Sequence, residues 1–194
     1  MKSHLYLLII IFVAFLLGLF FVWRFQQPEK KTAPVSLLTG SPDQANAFAL
    51  NNFTLGLLFT KTEDQQWTVQ RVKNDLVKDL EQKSAGPLVE VDEQTLQART
   101  DDVNALLTTL FAIKDLELVS TTAGESNVFE INKFSLHVIL FDENNKEIGR
   151  IFFGKQGTEP GTLFVKRGDS QNVYLMGTDP RLMLLKKYEE WLTK

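Results

Sequence analysis

The sequence predicts an α+β protein: an N-terminal transmembrane helix, then an antiparallel β-sheet domain with two main helices packed on one face. Three observations predict it. An uncharged apolar run occupies residues 5–22, near the minimum length for a helix crossing a hydrocarbon core of roughly 30 Å. Apolar or alternating runs of β-formers, separated by short polar turns, recur from Phe53 to Met176, the pattern of strands joined as hairpins. Two stretches, residues 101–113 and the segment from Pro180 onward, carry apolar residues at helical spacing instead.

The N-terminal run (LYLLIIIFVAFLLGLFFV) is apolar on every face, which disfavours a buried core helix. A cleaved signal peptide would need a small-x-small site after it, and Val22-Trp23-Arg24-Phe25 offers none. The expected anchor is therefore residues 1–24, bounded by Leu5 and Val22, with Tyr6 and Trp23 placed as an aromatic belt. Lys2 precedes the run, and Arg24, Lys30 and Lys31 follow it. By the positive-inside rule alone, that bias points the C-terminal domain toward the cytoplasm. Residues 25–46, with Pro28, Pro34, Gly40 and Pro42 among polar residues, read as a flexible linker. Residues 47–194 then suit one domain.

Composition narrows the chemistry. The chain of 194 residues has a net charge of -3 and no cysteine. No basic stripe marks a nucleic-acid face, and thiolate metal sites, disulfides and cysteine catalysis are excluded. Hydrophobic residues make up 44% of the chain, enough for a real core beyond the anchor.

Along the domain, residues 53–61 (FTLGLLFTK) and 67–72 (WTVQRV) predict a hairpin across Glu63-Asp64-Gln65-Gln66. In its second strand Trp67, Val69 and Arg71 oppose Thr68, Gln70 and Val72. A short helix using Leu76, Val77 and Leu80 is expected within residues 73–83, broken at Ser84-Ala85-Gly86-Pro87. In the clearest helix, Val103, Leu106, Leu107, Leu110 and Phe111 form one stripe. Thr100 is expected to cap it, and Asp101 and Asp102 complement its dipole. Strands are expected at residues 116–121, 134–141, 147–153, 162–166 and 172–176, with tight turns at Asp142-Glu143-Asn144-Asn145-Lys146 and Arg167-Gly168-Asp169-Ser170. A last helix starts at Pro180 with Asp179 as its cap. It buries Leu184, Leu185, Tyr188, Trp191 and Leu192.

No catalytic motif survives inspection. Residues 149–156 (GRIFFGKQ) match a phosphate-binding loop except at Gln156, which replaces the magnesium-binding hydroxyl; Ile151-Phe152-Phe153 reads as strand, so no nucleotide is expected. The two histidines, His4 and His137, stand isolated, and His137 reads as structural or exposed. Glu63/Asp64, Asp101/Asp102 and Asp142/Glu143 each fall in a turn or a helix start, whereas carboxylate catalysis needs two groups from different segments in one cleft. Asp142 to Glu147 lacks the glycine and terminal glutamate of a calcium loop. Asn52-Phe53-Thr54 is a glycosylation acceptor pattern. No cofactor or metal is expected. The chain has 15 Phe, and an exposed subset among Phe134, Phe141, Phe152, Phe153, Phe164 and Tyr174 would form a partner surface.

The hairpin QQWTVQRV, the helix DDVNALLTTL, the short F-E-I (Phe129-Glu130-Ile131), FFGK and the hairpin TLFVKRGDSQNVYLM together resemble the uncharacterised bacterial family DUF4340, from Phe53 to the end. The resemblance implies a single-unit, membrane-anchored, extracytoplasmic domain at the inner membrane, associated with ABC-type transport complexes. It therefore opposes the topology that the flanking charges favour, and it supplies no functional residue. The function expected is a non-enzymatic binding or scaffolding component of an envelope complex, with the membrane and a membrane-protein complex as partners and no nucleic acid. Two alternatives stand beside it: a lipid or glycolipid bridge with an apolar Phe-lined groove, and an envelope hydrolase using acidic residues.

Overall fold

The computed structural model describes residues 35–193, apart from residues 54, 55, 85, 86, 88, 93, 115 and 123. The expected anchor, with Leu5, Tyr6, Val22 and Trp23, lies outside the described residues. Among the described residues no helix is long and apolar enough to cross a membrane.

Among the described residues nine strands form one sheet: β1 (Ala47–Asn51), β2 (Gly56–Lys61), β3 (Trp67–Val72), β4 (Thr95–Gln97), β5 (Glu117–Ser120), β6 (His137–Phe141), β7 (Glu147–Gln156), β8 (Leu163–Arg167) and β9 (Val173–Met176). Their order is β4-β3-β2-β1-β6-β7-β8-β9-β5, and every pairing is antiparallel. Two meanders thus run outward from a central seam, β1 against β6. The helices are α1 (Asp75–Lys83), α2 (Thr100–Phe111) and the single turn α3 (Arg181–Leu184), with 3-10 helices at Pro42–Gln44, Glu125–Phe129 and Tyr188–Trp191. An antiparallel sheet carrying separate helices is the α+β class that the strand runs and short turns predict.

Strand alternation sets the core. Phe48 and Leu50 of β1 share one face with Leu57 and Phe59, Trp67 and Val69, Val138 and Leu140, Ile151 and Phe153, Val165 and Tyr174, and Leu163 and Met176, through direct register partners. All are buried, and α2 lays Val103, Leu106, Leu107 and Leu110 on them. Phe48 stacks on Phe59 at 4.4 Å between ring centroids, and Trp67 and Trp191 meet this pair edge-on. Asn104 of α2 accepts the Trp67 indole N–H at 2.9 Å, so a fully buried tryptophan keeps its polar atom satisfied.

Four features depart from expectation. β1 and β4 are strands at residues to which the sequence reading assigns no element. The described end of the expected linker, residues 35–46, contributes Leu37, Leu38 and Ala45 to the core. The C-terminal segment packs on the same face as α2, with Leu184, Tyr188 and Trp191 in its core cluster, whereas the short α1 lies on the side of the sheet that carries His137, where Asp75 Oδ2 reaches that ring. The cause is β6, whose residues 137–140 are all buried; a strand apolar on both sides needs cover on both. The expected last helix breaks after Leu184 into an extended Lys187 and a 3-10 turn. There Arg99 N–H donates to the Trp191 carbonyl at 2.7 Å and Thr193 N–H to the Gln97 carbonyl at 3.2 Å, so strand-like pairing beside β4 wins over helix propagation. Finally, Thr100 is the first helical residue of α2 and not its cap. Its hydroxyl accepts the Trp67 amide and donates to Gln66 Oε1, tying the helix start to β3.

Candidate binding groove

The chemistry-bearing residues singled out in the sequence do not converge. The tract 149–156 lies within β7, as the Ile151-Phe152-Phe153 reading requires. Asp142 Oδ1 accepts the amides of Asn144 and Lys146, both at 2.9 Å, and so shapes the β6–β7 turn; Asn145 there has φ 58°. Asp102 pairs with Lys186 at 3.1 Å and with Arg99 at 3.4 Å. Among the described residues no group of three or more His, Asp or Glu side chains is placed to hold a metal ion.

His137 is buried, with 1% of its surface exposed. Its Nδ1 lies 2.7 Å from the Ser135 carbonyl; a carbonyl only accepts, so Nδ1 carries the proton. Nε2 lies 3.2 Å from Asp75 Oδ2 without hydrogen-bond alignment, and the ring leans on Phe152 at 5.0 Å. The imidazole faces protein on all sides and links α1 to the segment before β6.

That segment walls a groove of about 480 Å³ beside one end of β1 and β6. Three pieces of chain form it. Asn52 and Phe53 follow β1 on one side. Residues 127–136 form the second wall through Asn127, Glu130, Asn132 and Ser135. Arg181 and Leu185, around α3, form the third, and Leu136, Phe153, Gly154 and Lys155 lie between them.

Local rules hold the second wall in place. Gly124 (φ 94°) starts the 3-10 helix Glu125–Phe129 and Glu130 (φ 58°) ends it, both in the left-handed region. Ser135 Oγ donates to the Glu130 carbonyl at 2.7 Å and accepts the Asn132 amide at 2.9 Å, while Asn132 Oδ1 accepts the Phe134 amide at 2.8 Å. These are the side-chain turns that Ser and Asn form with nearby backbone. Phe129 leans on Phe164 at 4.7 Å. At Gly154 a Cβ would meet the Phe129 carbonyl at 2.3 Å and Ile131 Cγ1 at 2.7 Å, so the wall closes down only on a residue without a side chain.

The groove's charges are unevenly matched. Arg181 binds Asp179 through two nitrogens, a fork that holds the Asp179 carboxyl below the usual carboxylate range. Lys155 and Glu130 have no ion pair among the described residues. Two lining residues are large apolar side chains in solvent, Phe53 at 62% exposure and Leu185 at 53%; Val128 at 61% and Leu182 at 90% are next in the chain to the lining residues Asn127 and Arg181. Strand Phe residues were the expected partner surface, but Phe134, Phe141, Phe152 and Phe164 are only half-buried. Phe53, Val128, Leu182 and Leu185 lie outside the strands, which is why strand periodicity could not single them out. One signal was present: FFGK contributes Phe153, Gly154 and Lys155 to the groove.

Fold and hollow together define an antiparallel α+β domain with a groove walled by three pieces of chain. The chain belongs to the family described as Domain of unknown function (DUF4340), whose model matches residues 89–194. The match starts just before β4, so the hairpin of β2 and β3, read into the likeness from Phe53 onward, precedes it. No curated protein and no solved structure matches the chain.

Proposed function

We propose that this protein is a non-enzymatic binding module of an envelope complex, tethered to the inner membrane by residues 5–22, with its α+β domain outside the cytoplasm. The observation that carries the binding reading is that two residues lining one groove, Phe53 and Leu185, are large, apolar and exposed, while the exposed Val128 and Leu182 adjoin its lining residues Asn127 and Arg181 in the chain. Isolated exposed apolar residues need no explanation, but several on one concave surface mark an interaction site. The tether is supported by the uncharged apolar run, and the extracytoplasmic placement by what the likeness to DUF4340 implies.

The partner is a protein of the same membrane. A photo-crosslinking residue at Leu182 in the full chain, activated in cells, should give one discrete adduct. The same residue at Glu63, in the β2–β3 turn away from the groove, should not. Equal adduct patterns at the two positions, or none at Leu182, would overturn the reading.

A further inference from the structure

We propose that His137 is a proton-operated latch for α1: with both ring nitrogens protonated it holds Asp75 and seats the helix on the sheet, and the neutral ring lets the helix go. α1 sends no residue into the core. Leu76 and Val77 are only half-buried and Leu80 is exposed, so polar ties weigh heavily in its seating. Asn74, its N-cap, donates from Nδ2 to the Asn52 carbonyl at 2.7 Å. Lys133, from the segment before β6, donates to Asp79. Asp75 Oδ2 lies 3.2 Å from His137 Nε2.

The last tie changes sign with one proton. The Ser135 carbonyl takes the Nδ1 proton, so a neutral ring presents Nε2 as a lone pair. That lone pair faces a carboxylate oxygen, acceptor against acceptor, and Nε2 has no hydrogen-bond partner. A second proton, on Nε2, turns the same contact into an ion pair. A buried charge is costly unless paired, and Asp75 is that pair. Through Asn74 and the ring, α1 is thereby bonded to two walls of the groove, Asn52 and Ser135.

The charged surroundings leave this contact to Asp75. On α1, Lys78 stands 3.8 Å from the other Asp75 oxygen. The segment before β6 carries Glu130 and Lys133, the latter occupied by Asp79. In the sheet, the register partners of His137 are the uncharged Asn51 and Phe152. Farther along the same face lie Arg150, paired with Glu147, and Lys166. Among the described residues, Asp75 is the one charged group within ion-pair distance of the ring. Lys133 and then Lys83 hold the Asp79 carboxyl below the usual carboxylate range, so that tie keeps its charge while an imidazole changes its own. An attraction that exists only with the second proton strengthens as pH falls and fades as pH rises. It also needs an ionised Asp75, so it operates above the carboxylate range.

Hydrogen exchange of the purified full chain tests the latch, at about pH 5.5 and about pH 8.5, on either side of the range where imidazoles titrate. After correction for intrinsic exchange at each pH, α1 peptides should lose at least about tenfold in protection at the higher pH, relative to β8 peptides. His137→Gln, which cannot take up a proton, should exchange α1 at one level at both pH values. Asp75→Asn sets an amide donor opposite the neutral Nε2, so its α1 should keep at the higher pH the protection it has at the lower. This variant, at a half-buried position, carries the test should His137→Gln fail to fold. Equal protection of wild-type α1 at the two pH values, the reverse order, or a pH response that persists in either variant would sink the latch.

Discussion

At Gly154 the room for a side chain is already taken by backbone. The Phe129 carbonyl would sit 2.3 Å from an added Cβ, and residues 125–135 cannot retreat without losing the bonds through Ser135 and Asn132. Gly149, five residues earlier in the same strand, meets only Leu38 Cδ2 at 2.5 Å, the far end of a side chain that can turn. Gly154→Ala should therefore destabilise the protein by about 1–3 kcal/mol, the usual cost of overpacking, and Gly149→Ala by less. Denaturant unfolding of the two variants checks this; equal midpoints would show that the wall is not pinned at Gly154. The sequence GRIFFGKQ was legible as strand from its apolar centre. The work of its glycines was not, because the atoms that exclude a side chain come from Leu38 and from residues 129–131, at separations no spacing rule covers. Asn104 is similar: it reads as a polar residue on a helix, and only β3 packed beneath it reveals a partner for Trp67.

Among the elements, α2 was the most readable, since its four buried residues recur at the spacing that makes one helical stripe. Leu110, fully buried where α2 lies on the sheet, is a measure of that contact. Leu110→Ala should cost about 2–5 kcal/mol, transfer plus cavity. Leu182→Ala, on the 90% exposed position of α3, should cost under about 0.5 kcal/mol. Thermal unfolding of both variants decides it, and a Leu110→Ala loss as small as that at Leu182 would mean α2 is not seated as described. Strand positions were readable wherever a turn punctuated them; the hairpin of β2 and β3 and the run β6 to β9 lie within a few residues of expectation. β1 was missed because Ala-Phe-Ala-Leu-Asn abuts a proline-rich stretch and carries two alanines. β4 was missed because its three residues are mostly polar and are held by neighbours on both flanks. The broken last helix shows the same competition: Leu184, Tyr188 and Trp191 do face the core, as the stripe implied, but pairing beside β4 re-routes the backbone between them.

The molecule as a whole is two meanders sharing one seam. The family match covers β4 and everything after it, whereas β1, β2 and β3 lie before it. Yet β1 bonds to β6 along its full length, from Ala47 opposite Phe141 to Asn51 opposite His137. The aromatic group of Phe48, Phe59, Trp67 and Trp191 also joins the first meander to the C-terminal segment. A core continuous across the seam makes the two meanders one cooperative unit, while α1, with no buried residue, adds little to it. Hydrogen exchange should therefore rank the amides by position in the sheet. Those of β1, β2, β6 and β7 should exchange slowest and at one common rate set by global unfolding. Those of α1 should exchange at least about a hundredfold faster, through local opening. Mass spectrometry on peptides from β2 and β8 supplies the test. If the residues before Val89 exchange as a separate, faster block, the seam does not couple the halves, and the first meander is an appendage to the matched domain and no part of its core.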